Sequence, residues 1–159
     1  MVIFIIIGTI IWNNPRTKLR LSNETVVNTI NQTTNRTKKE DLTNIFRSGY
    51  WTSRYFQYGT WHGPHTFLLF FSHKELEVTG SGKDDVGEFS IDGTYSLCTG
   101  QLGLTKVYEK GTGNLSQNLG HTVNIQLEWN GDKCRFDGRW NVDTRYYRGQ
   151  DSFELKFDR

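Results

Sequence analysis

The chain has 159 residues, enough for one ordinary domain and a tail, and its formal net charge is +2. Aromatic residues make up 14% of it, with 16 Gly and only 2 Pro, a composition that favours short strands joined by turns. Residues 1–48 carry 7 basic against 3 acidic side chains and residues 49–159 carry 12 against 14, so the body lacks the basic excess of a nucleic-acid binder.

The first feature along the chain is an apolar run over residues 1–12, "MVIFIIIGTIIW". It is shorter than the roughly 20 residues a helix needs to cross a bilayer and resembles the apolar part of a signal peptide. The basic Arg16, Lys18 and Arg20 follow it, which favours cytoplasmic retention of the downstream chain if the run inserts. Acceptor triplets for N-glycosylation favour secretion instead, and occur at Asn23, Asn31, Asn35 and Asn114. The sequence therefore leaves both locations open, with any membrane contact expected through residues 1–12 alone.

Residues 13–37 are polar, rich in Asn and Thr, and without a sustained period, which is typical of a linker. A short helix is predicted over residues 38–47, because Thr37 and Glu40 form a capping-box pattern. The apolar face of this helix consists of Leu42, Ile45 and Phe46. The predicted domain therefore spans residues 38–159 and begins with a helix that docks on an apolar surface.

From Gly49 onward, apolar and polar residues alternate with the period of a half-buried strand. Eight strands are predicted, over residues 49–57, 65–72, 76–80, 87–96, 101–108, 122–129, 133–142 and 151–157. The connections are too short for crossover helices, so neighbouring strands should be antiparallel and sequential. Closure would remove the exposed edges of such a sheet. The predicted fold is an all-β, eight-stranded antiparallel up-and-down barrel with the short N-terminal helix covering one end.

Two strands share a pattern, "IDGTY" at residues 91–95 and "FDGRW" at residues 136–140. Alternation places Gly93 and Gly138 on the same face as the apolar residues beside them, so both glycines should point inward. A glycine in a strand interior marks a bend or a place where a neighbour approaches the backbone closely. The pattern therefore predicts a crowded barrel interior and implies no ligand.

The layout resembles the calycin-like barrels, which bind small molecules inside an eight-stranded meander. "GYW" at residues 49–51 is similar to the Gly-X-Trp of the first lipocalin strand, and "DGTY" and "DGRW" resemble the Gly-X-aromatic strands of avidins. A longer pattern, from "WHGPH" through "GSGKDDVGEFSIDGTYS" to "FEL", is similar to a eukaryotic barrel family that lends no activity. The resemblance implies the architecture of residues 49–159 and carries over no ligand.

The predicted loops differ between the two ends of the barrel. One end collects residues 58–64, 80–86, 109–121 and 143–150, whereas the other has only tight hairpins, so a mouth is expected at the first end. Aromatic and basic side chains in such loops suggest contact with a ligand, although they also pack on barrel rims. Lys106 shares the inward face of its strand and is a candidate counter-charge for a ligand. The predicted ligand-binding residues are Trp61, His62, Lys106, His121, Arg145, Tyr146, Tyr147 and Arg148.

No cofactor or metal site is predicted. His62 and His65 lack further ligands at a suitable spacing, and Asp84 and Asp85 lack the run of acids of an EF-hand. The interpretation preferred for this acidic stretch is turn chemistry, with Asp bonding the backbone and Gly87 at a strained φ.

The chain also lacks a Gly-X-Ser-X-Gly motif and a phosphate-binding loop, which argues against an enzyme. The predicted function is non-enzymatic binding of a small, largely apolar molecule through the mouth. The alternative is a protein-interaction module with an outer apolar face, since Leu68 and Phe70 of "TFLLFF" should point away from the barrel interior.

The two cysteines are predicted to remain free thiols. Cys98 lies in the hairpin between strands four and five, and Cys134 follows the hairpin between strands six and seven. Three strands separate them, about 14 Å around the wall, whereas a disulfide needs Cα atoms within about 7 Å.

Overall fold

The structure, a computed structural model, describes residues 42–159. The predicted apolar run, the linker and residues 38–41 of the predicted helix lie outside this range. Within it, a helical turn over residues 42–45 precedes eight strands. No helix in residues 42–159 is long and apolar enough to cross a membrane.

The eight strands form one closed barrel. They are β1 (Gly49–Gln57), β2 (Thr60–Ser72), β3 (Glu77–Lys83), β4 (Glu88–Ser96), β5 (Gln101–Tyr108), β6 (Thr122–Asn130), β7 (Arg135–Asp143) and β8 (Arg148–Phe157). Each strand pairs antiparallel with the next one, and β8 returns to pair with β1. The predicted all-β up-and-down barrel is confirmed.

The barrel interior is filled by the inward side chains that the alternation predicted. On β6, Val123, Ile125 and Leu127 are buried while the residues between them are exposed. The alternation of the strands points ten aromatic and aliphatic residues inward. All of them are buried except Trp129, which is half-buried and packs against the core; they are Trp51, Tyr55, Phe67, Leu69, Phe71, Phe89, Tyr95, Trp129, Phe136 and Trp140. The alternation along a half-buried strand is thus sufficient to predict which of its faces is buried.

One end of the barrel is closed by the residue that follows the helical turn. Phe46 is fully buried, and its ring centroid lies 4.3 Å from that of Tyr95 and 5.4 Å from that of Phe136. The indole Nε1 of Trp51 donates to the carbonyl oxygen of Arg47 at 2.9 Å, which ties this segment to β1. The predicted cover over the hairpin end is therefore an aromatic plug.

At the opposite end, several strands are longer than predicted. β2 begins at Thr60 rather than at residue 65, β3 runs to Lys83 rather than to residue 80, and β8 begins at Arg148 rather than at residue 151. These ends carry mostly polar, small or partly exposed residues, so they lack the alternation that reveals a strand packed on a core.

A proline inside β2 is a second reason why the predicted start of this strand is too late. Pro64 lies opposite a register shift in the pairing of β1 with β2, between Ser53 and Tyr55. Proline lacks the N–H that a regular ladder requires, and an irregularity of this kind is where a strand tolerates it. The longer strands leave connections at residues 58–59, 84–87, 109–121 and 144–147, so only one of the four expected long loops is long.

The glycines of the repeated pattern are required by the close approach of neighbouring strands. A Cβ on Gly138 would overlap the carbonyl oxygen of Gln126 on β6, and one on Gly93 would overlap the carbonyl oxygen of Gly103 on β5. Both obstacles are backbone atoms of paired strands, which cannot move without breaking the ladder. The predicted crowding at these two positions is thus confirmed, with main chain as its cause.

Gly138→Ala is expected to lower the free energy of unfolding by about 1–3 kcal/mol, because the added methyl group overpacks the wall between β6 and β7. Gly103→Ala is a matched control, since the nearest heavy atom to its added Cβ lies 3.9 Å away. That control should change stability by less than about 0.5 kcal/mol. Urea unfolding of both variants measures the difference, and equal effects would contradict the assignment of the repeat to close strand approach.

Both cysteines are free and exposed, as the strand order predicted. Cys134 adopts a positive φ of 48° at the end of the β6–β7 hairpin, a conformation that belongs to the turn.

Candidate functional site

A cavity of about 530 Å³ opens at the end opposite the aromatic plug. Its floor includes Ile125, Trp140 and Phe153 on the barrel strands, and its rim includes residues of the β5–β6 and β7–β8 connections. We call it the mouth cavity, and its lining residues are Tyr55, Gln57, Tyr58, Val86, Lys106, Tyr108, Ser116, Gln117, Leu119, His121, Val123, Ile125, Trp140, Val142, Thr144, Arg145, Tyr146, Tyr147 and Phe153.

The long β5–β6 loop is organised by Asn118, whose side chain is buried. Its Nδ2 donates to the carbonyl oxygens of Glu109 and Thr112, both at 2.8 Å, and its Oδ1 accepts from the N–H of Gly120 at 3.0 Å. A buried amide with these partners holds both arms of the loop. It thereby places Leu119 and His121 on the cavity wall. Sequence reasoning did not single out Asn118, because an Asn in a loop rich in Asn, Gly and Ser has no distinguishing spacing.

The β7–β8 connection is a short turn held by Thr144. The Thr144 Oγ1 accepts from the N–H of Tyr147 at 2.9 Å and donates to the Tyr147 carbonyl oxygen at 3.0 Å. Tyr147 is half-buried, and its hydroxyl accepts from Gln57 Nε2 at 3.0 Å. Tyr146 points outward from the rim with 79% of its surface exposed, and the Arg145 guanidinium lies 5.8 Å from its ring centroid. The two adjacent tyrosines therefore have different environments.

A buried ion pair joins the inner wall to the β3–β4 turn. Lys106 on β5 pairs with Asp84, and their side chains are 7% and 1% exposed. The Asp84 Oδ2 also accepts from the hydroxyl of Tyr108 at 2.7 Å, while its Oδ1 accepts from the backbone N–H groups of Val86 and Gly87. The carboxylate thus has a donor on each side, as a buried charge requires.

The ammonium of Lys106 also lies against two aromatic rings. Besides Asp84, it lies 3.9 Å from the ring centroid of Phe89 and 4.7 Å from that of Tyr108. Asp84 and Phe89 are not among the residues that line the mouth cavity. The inward orientation expected for Lys106 is therefore present, but its charge is already balanced by Asp84.

The pKa shifts around this pair follow from burial and charge. Burial alone would raise the pKa of Asp84, but the charge of Lys106 and the hydrogen bonds from Lys106 and Tyr108 outweigh it and lower that pKa. Burial and the negative charge of Asp84 raise the pKa of Tyr108 far above its usual range. Asp84 is therefore ionised and Tyr108 is a protonated donor at neutral pH.

The expected turn chemistry of the acidic stretch is confirmed for Asp84, which bonds the backbone of its own turn. The expectation for Gly87 is wrong, since Gly87 has no positive φ. A side chain there would instead meet Asn118, whose Nδ2 lies 2.5 Å from the position of an added Cβ. Packing against the β5–β6 loop requires this glycine.

Asp85 is the centre of a second polar cluster at the edge of the mouth. Its Oδ1 accepts from the hydroxyl of Tyr55 and its Oδ2 contacts His62 Nδ1, both at 2.7 Å. His65 Nε2 lies 3.5 Å from Oδ1, and the imidazole of His62 stacks on Tyr55 with 4.7 Å between ring centroids. Burial and Asp85 raise the pKa of Tyr55 well above its usual value. The residues brought together here cross-link β1, β2 and the β3–β4 turn.

His121 brings to the cavity wall a buried ring nitrogen that has no hydrogen-bond partner among residues 42–159. Its Nδ1 is buried and makes no hydrogen bond. Burial and the nearby charge of Lys106 lower the pKa of His121, so its imidazole is neutral at pH 7. Its ring packs on Tyr108 with 4.9 Å between the centroids.

Five of the eight sequence-predicted binding residues line the mouth cavity: Lys106, His121, Arg145, Tyr146 and Tyr147. The other three lie elsewhere. Trp61 packs on Phe56 and is 41% exposed, His62 belongs to the Asp85 cluster, and Arg148 pairs with Asp143 on the surface. Trp61 and His62 were placed in a loop, whereas both belong to β2, and this longer strand carries them away from the cavity.

No family model matches the chain. Neither a curated protein nor a solved structure matches it either. The barrel is thus established by its own strand pairing, and its function has to be inferred from the mouth cavity.

Proposed function

We propose that this protein is a non-enzymatic, calycin-like binding barrel whose mouth cavity takes a small, largely apolar molecule. The observation that carries the proposal is the cavity of about 530 Å³, which exceeds the roughly 300 Å³ at which ligand pockets begin. Because Phe46 closes the hairpin end of the barrel, a ligand would enter the mouth cavity from the opposite end, beside the β5–β6 loop.

The character of the lining supports an apolar ligand. Ligand pockets are lined mainly by hydrophobic and aromatic side chains with a few polar groups. Apolar side chains contribute much of this wall, namely Val86, Leu119, Val123, Ile125, Trp140, Val142 and Phe153. The arrangement agrees with the calycin-like resemblance of the sequence, in which the barrel interior holds the ligand.

The bonding of the titratable groups supports binding rather than catalysis. Asp84, Lys106 and Tyr108 satisfy one another, and Asp85 is shared by Tyr55 and His62. A catalytic acid or base needs a proton that it can exchange with a substrate, whereas these groups are held in structural bonds. The imidazole of His121 has no hydrogen-bonded group among residues 42–159 to orient it as a catalytic base. Native mass spectrometry of the protein from its own cells tests the proposal, since a retained small molecule is the expected result.

Tyr146→Ala is expected to weaken binding of such a retained ligand by about 1–3 kcal/mol, because Tyr146 is one of the residues that line the cavity at its rim. Its stability should change by less than about 0.5 kcal/mol. Tyr147→Ala is the matched comparison and should also lower the melting temperature, since Tyr147 is half-buried and bonded to Gln57. Titration of the ligand and thermal unfolding measure both quantities. Unchanged binding in Tyr146→Ala would remove the rim from the proposed site.

The alternative function is protein binding through the outer face of β1 and β2. Tyr50 pairs with Leu68 across these strands, and Tyr50 and Phe70 are 46% and 55% exposed. Exposed apolar residues that cluster on one face favour a protein partner or self-association. Size-exclusion chromatography with light scattering tests this alternative, and a strict monomer that captures no partner would count against it.

A further inference from the structure

Among residues 42–159, the buried wall of the mouth cavity around Lys106 and His121 offers no uncompensated charge to a ligand. The ammonium of Lys106 is paired with Asp84 and covered by the rings of Phe89 and Tyr108. His121 is neutral for the reasons given above. Arg145 is the remaining basic residue of the lining, and it is exposed at the rim. A buried anionic group would therefore lose its hydration without gaining a cation.

The two acidic residues of the β3–β4 turn near Lys106 add to that cost. Asp84 and Asp85 are adjacent in the β3–β4 turn, and Asp85 contacts Tyr55, which lines the cavity. A ligand carboxylate at this wall would bring a third negative charge towards a single ammonium. Like charges disfavour one another, and most strongly where they are buried, as the Asp84 carboxylate is.

His121 supplies an open hydrogen-bonding position in the same wall. Neither of its ring nitrogens bonds another residue of the described chain, and of the two only Nδ1 is fully buried. Nε2 is therefore the accessible nitrogen. A neutral imidazole carries one donor and one acceptor, and either can occupy Nε2. A hydroxyl group can both donate and accept, so it pairs with either tautomer, whereas a carboxylate pairs only with the one that presents an N–H.

The volume limits the size of the occupant. A cavity of about 530 Å³ corresponds to about 18 non-hydrogen atoms, if each takes about the 30 Å³ that a water molecule occupies in the liquid.

From the compensated charge, the open imidazole and the apolar lining we infer that the mouth cavity selects uncharged, hydroxyl-bearing apolar molecules, such as alkylphenols, over carboxylates of the same shape. The hydroxyl bonds Nε2 of His121 and the apolar body lies against Trp140 and Phe153. The inference rests on the proposed function, and it adds the charge and the polar group of the ligand.

Three probes of matched shape test this inference on the folded chain: 4-hexylphenol, 4-hexylbenzoate and hexylbenzene, titrated at pH 7.5 by calorimetry. The phenol is expected to bind at least about 10-fold more tightly than the benzoate, because the latter buries an unpaired charge. It should bind about 3- to 10-fold more tightly than hexylbenzene, the range of one net hydrogen bond.

His121→Phe should remove the preference for the phenol over hexylbenzene and leave the affinity for hexylbenzene within about 3-fold. His121→Gln is the matched variant, since its amide still offers a donor and an acceptor, and the preference should survive in it. Thermal unfolding of both variants confirms that they are folded, and the comparison of probes on the unaltered chain needs no variant.

The outcomes distinguish failure of the selectivity for hydroxyl groups from failure of apolar ligand binding itself. A benzoate that binds as tightly as the phenol, or a phenol preference that survives in folded His121→Phe, would overturn the inference and leave apolar binding intact. Failure of all three probes to bind would contradict the proposed function as well.

Discussion

Lys106→Met is expected to lower the free energy of unfolding by about 3–5 kcal/mol, the cost of removing one partner of a buried ion pair. Met replaces most of the apolar stem of the lysine, so the loss reports the charge rather than a cavity. The variant leaves the Asp84 carboxylate 1% exposed and without its cation. Asp84 would retain only the hydroxyl of Tyr108 and two backbone N–H groups. Urea unfolding at pH 7 measures the change.

Two further variants identify the cause of this loss. Adding Asp84→Asn to Lys106→Met should recover part of the stability, because the double variant no longer buries an unpaired charge. Arg148→Met breaks the exposed pair with Asp143, whose side chains are 80% and 63% exposed, and should cost less than about 1 kcal/mol. A small loss in Lys106→Met, similar to that in Arg148→Met, would show that the inner pair contributes no more than a surface one.

Phe46→Ala is expected to cost a similar amount, about 3–5 kcal/mol, because it empties the plug at the closed end of the barrel. The ring is fully buried and lies within 6 Å of three others, with centroid distances of 4.3 Å to Tyr95, 5.4 Å to Phe136 and 5.8 Å to Phe71. These three rings come from β2, β4 and β7, so the side chain joins distant parts of the wall.

Phe70→Ala is the matched control, since it removes the same ring from a position that is 55% exposed on the outer face of β2. It should change stability by less than about 0.5 kcal/mol. If the two substitutions had equal effects in thermal unfolding, the segment before β1 would be an appendage rather than part of the core.

The barrel could be predicted because its strands are half-buried. Alternation on β6 and β8 sets the inward face of each strand by itself, and short connections leave sequential antiparallel pairing as the simple solution. The same alternation placed Gly93 and Gly138 inside. It failed at the mouth ends of β2 and β3, where the residues are mostly polar, small or partly exposed and no longer alternate.

The candidate site was predicted only in part. Alternation turned Lys106 inward, and the connection of β7 to β8 supplied Arg145, Tyr146 and Tyr147. Trp61 and His62 were assigned to the same rim from an expected loop, but they belong to a strand whose side chains lie outside the cavity. Asn118 holds the β5–β6 loop through hydrogen bonds to Glu109 and Thr112, which no local sequence pattern predicts.

The fold class, the inner face of the strands and the free state of Cys98 and Cys134 follow from the sequence alone, because each depends on local period or on counting strands around a wall. The pairing of Asp84 with Lys106, 22 residues apart in the chain, is visible only in the folded barrel. The same holds for Nδ1 of His121, which is buried without a hydrogen bond among residues 42–159. Whether a buried charge is paired, and whether a ring nitrogen finds a partner, depends on which side chains come into contact in space. Those contacts form only when the barrel closes, and no single strand specifies them.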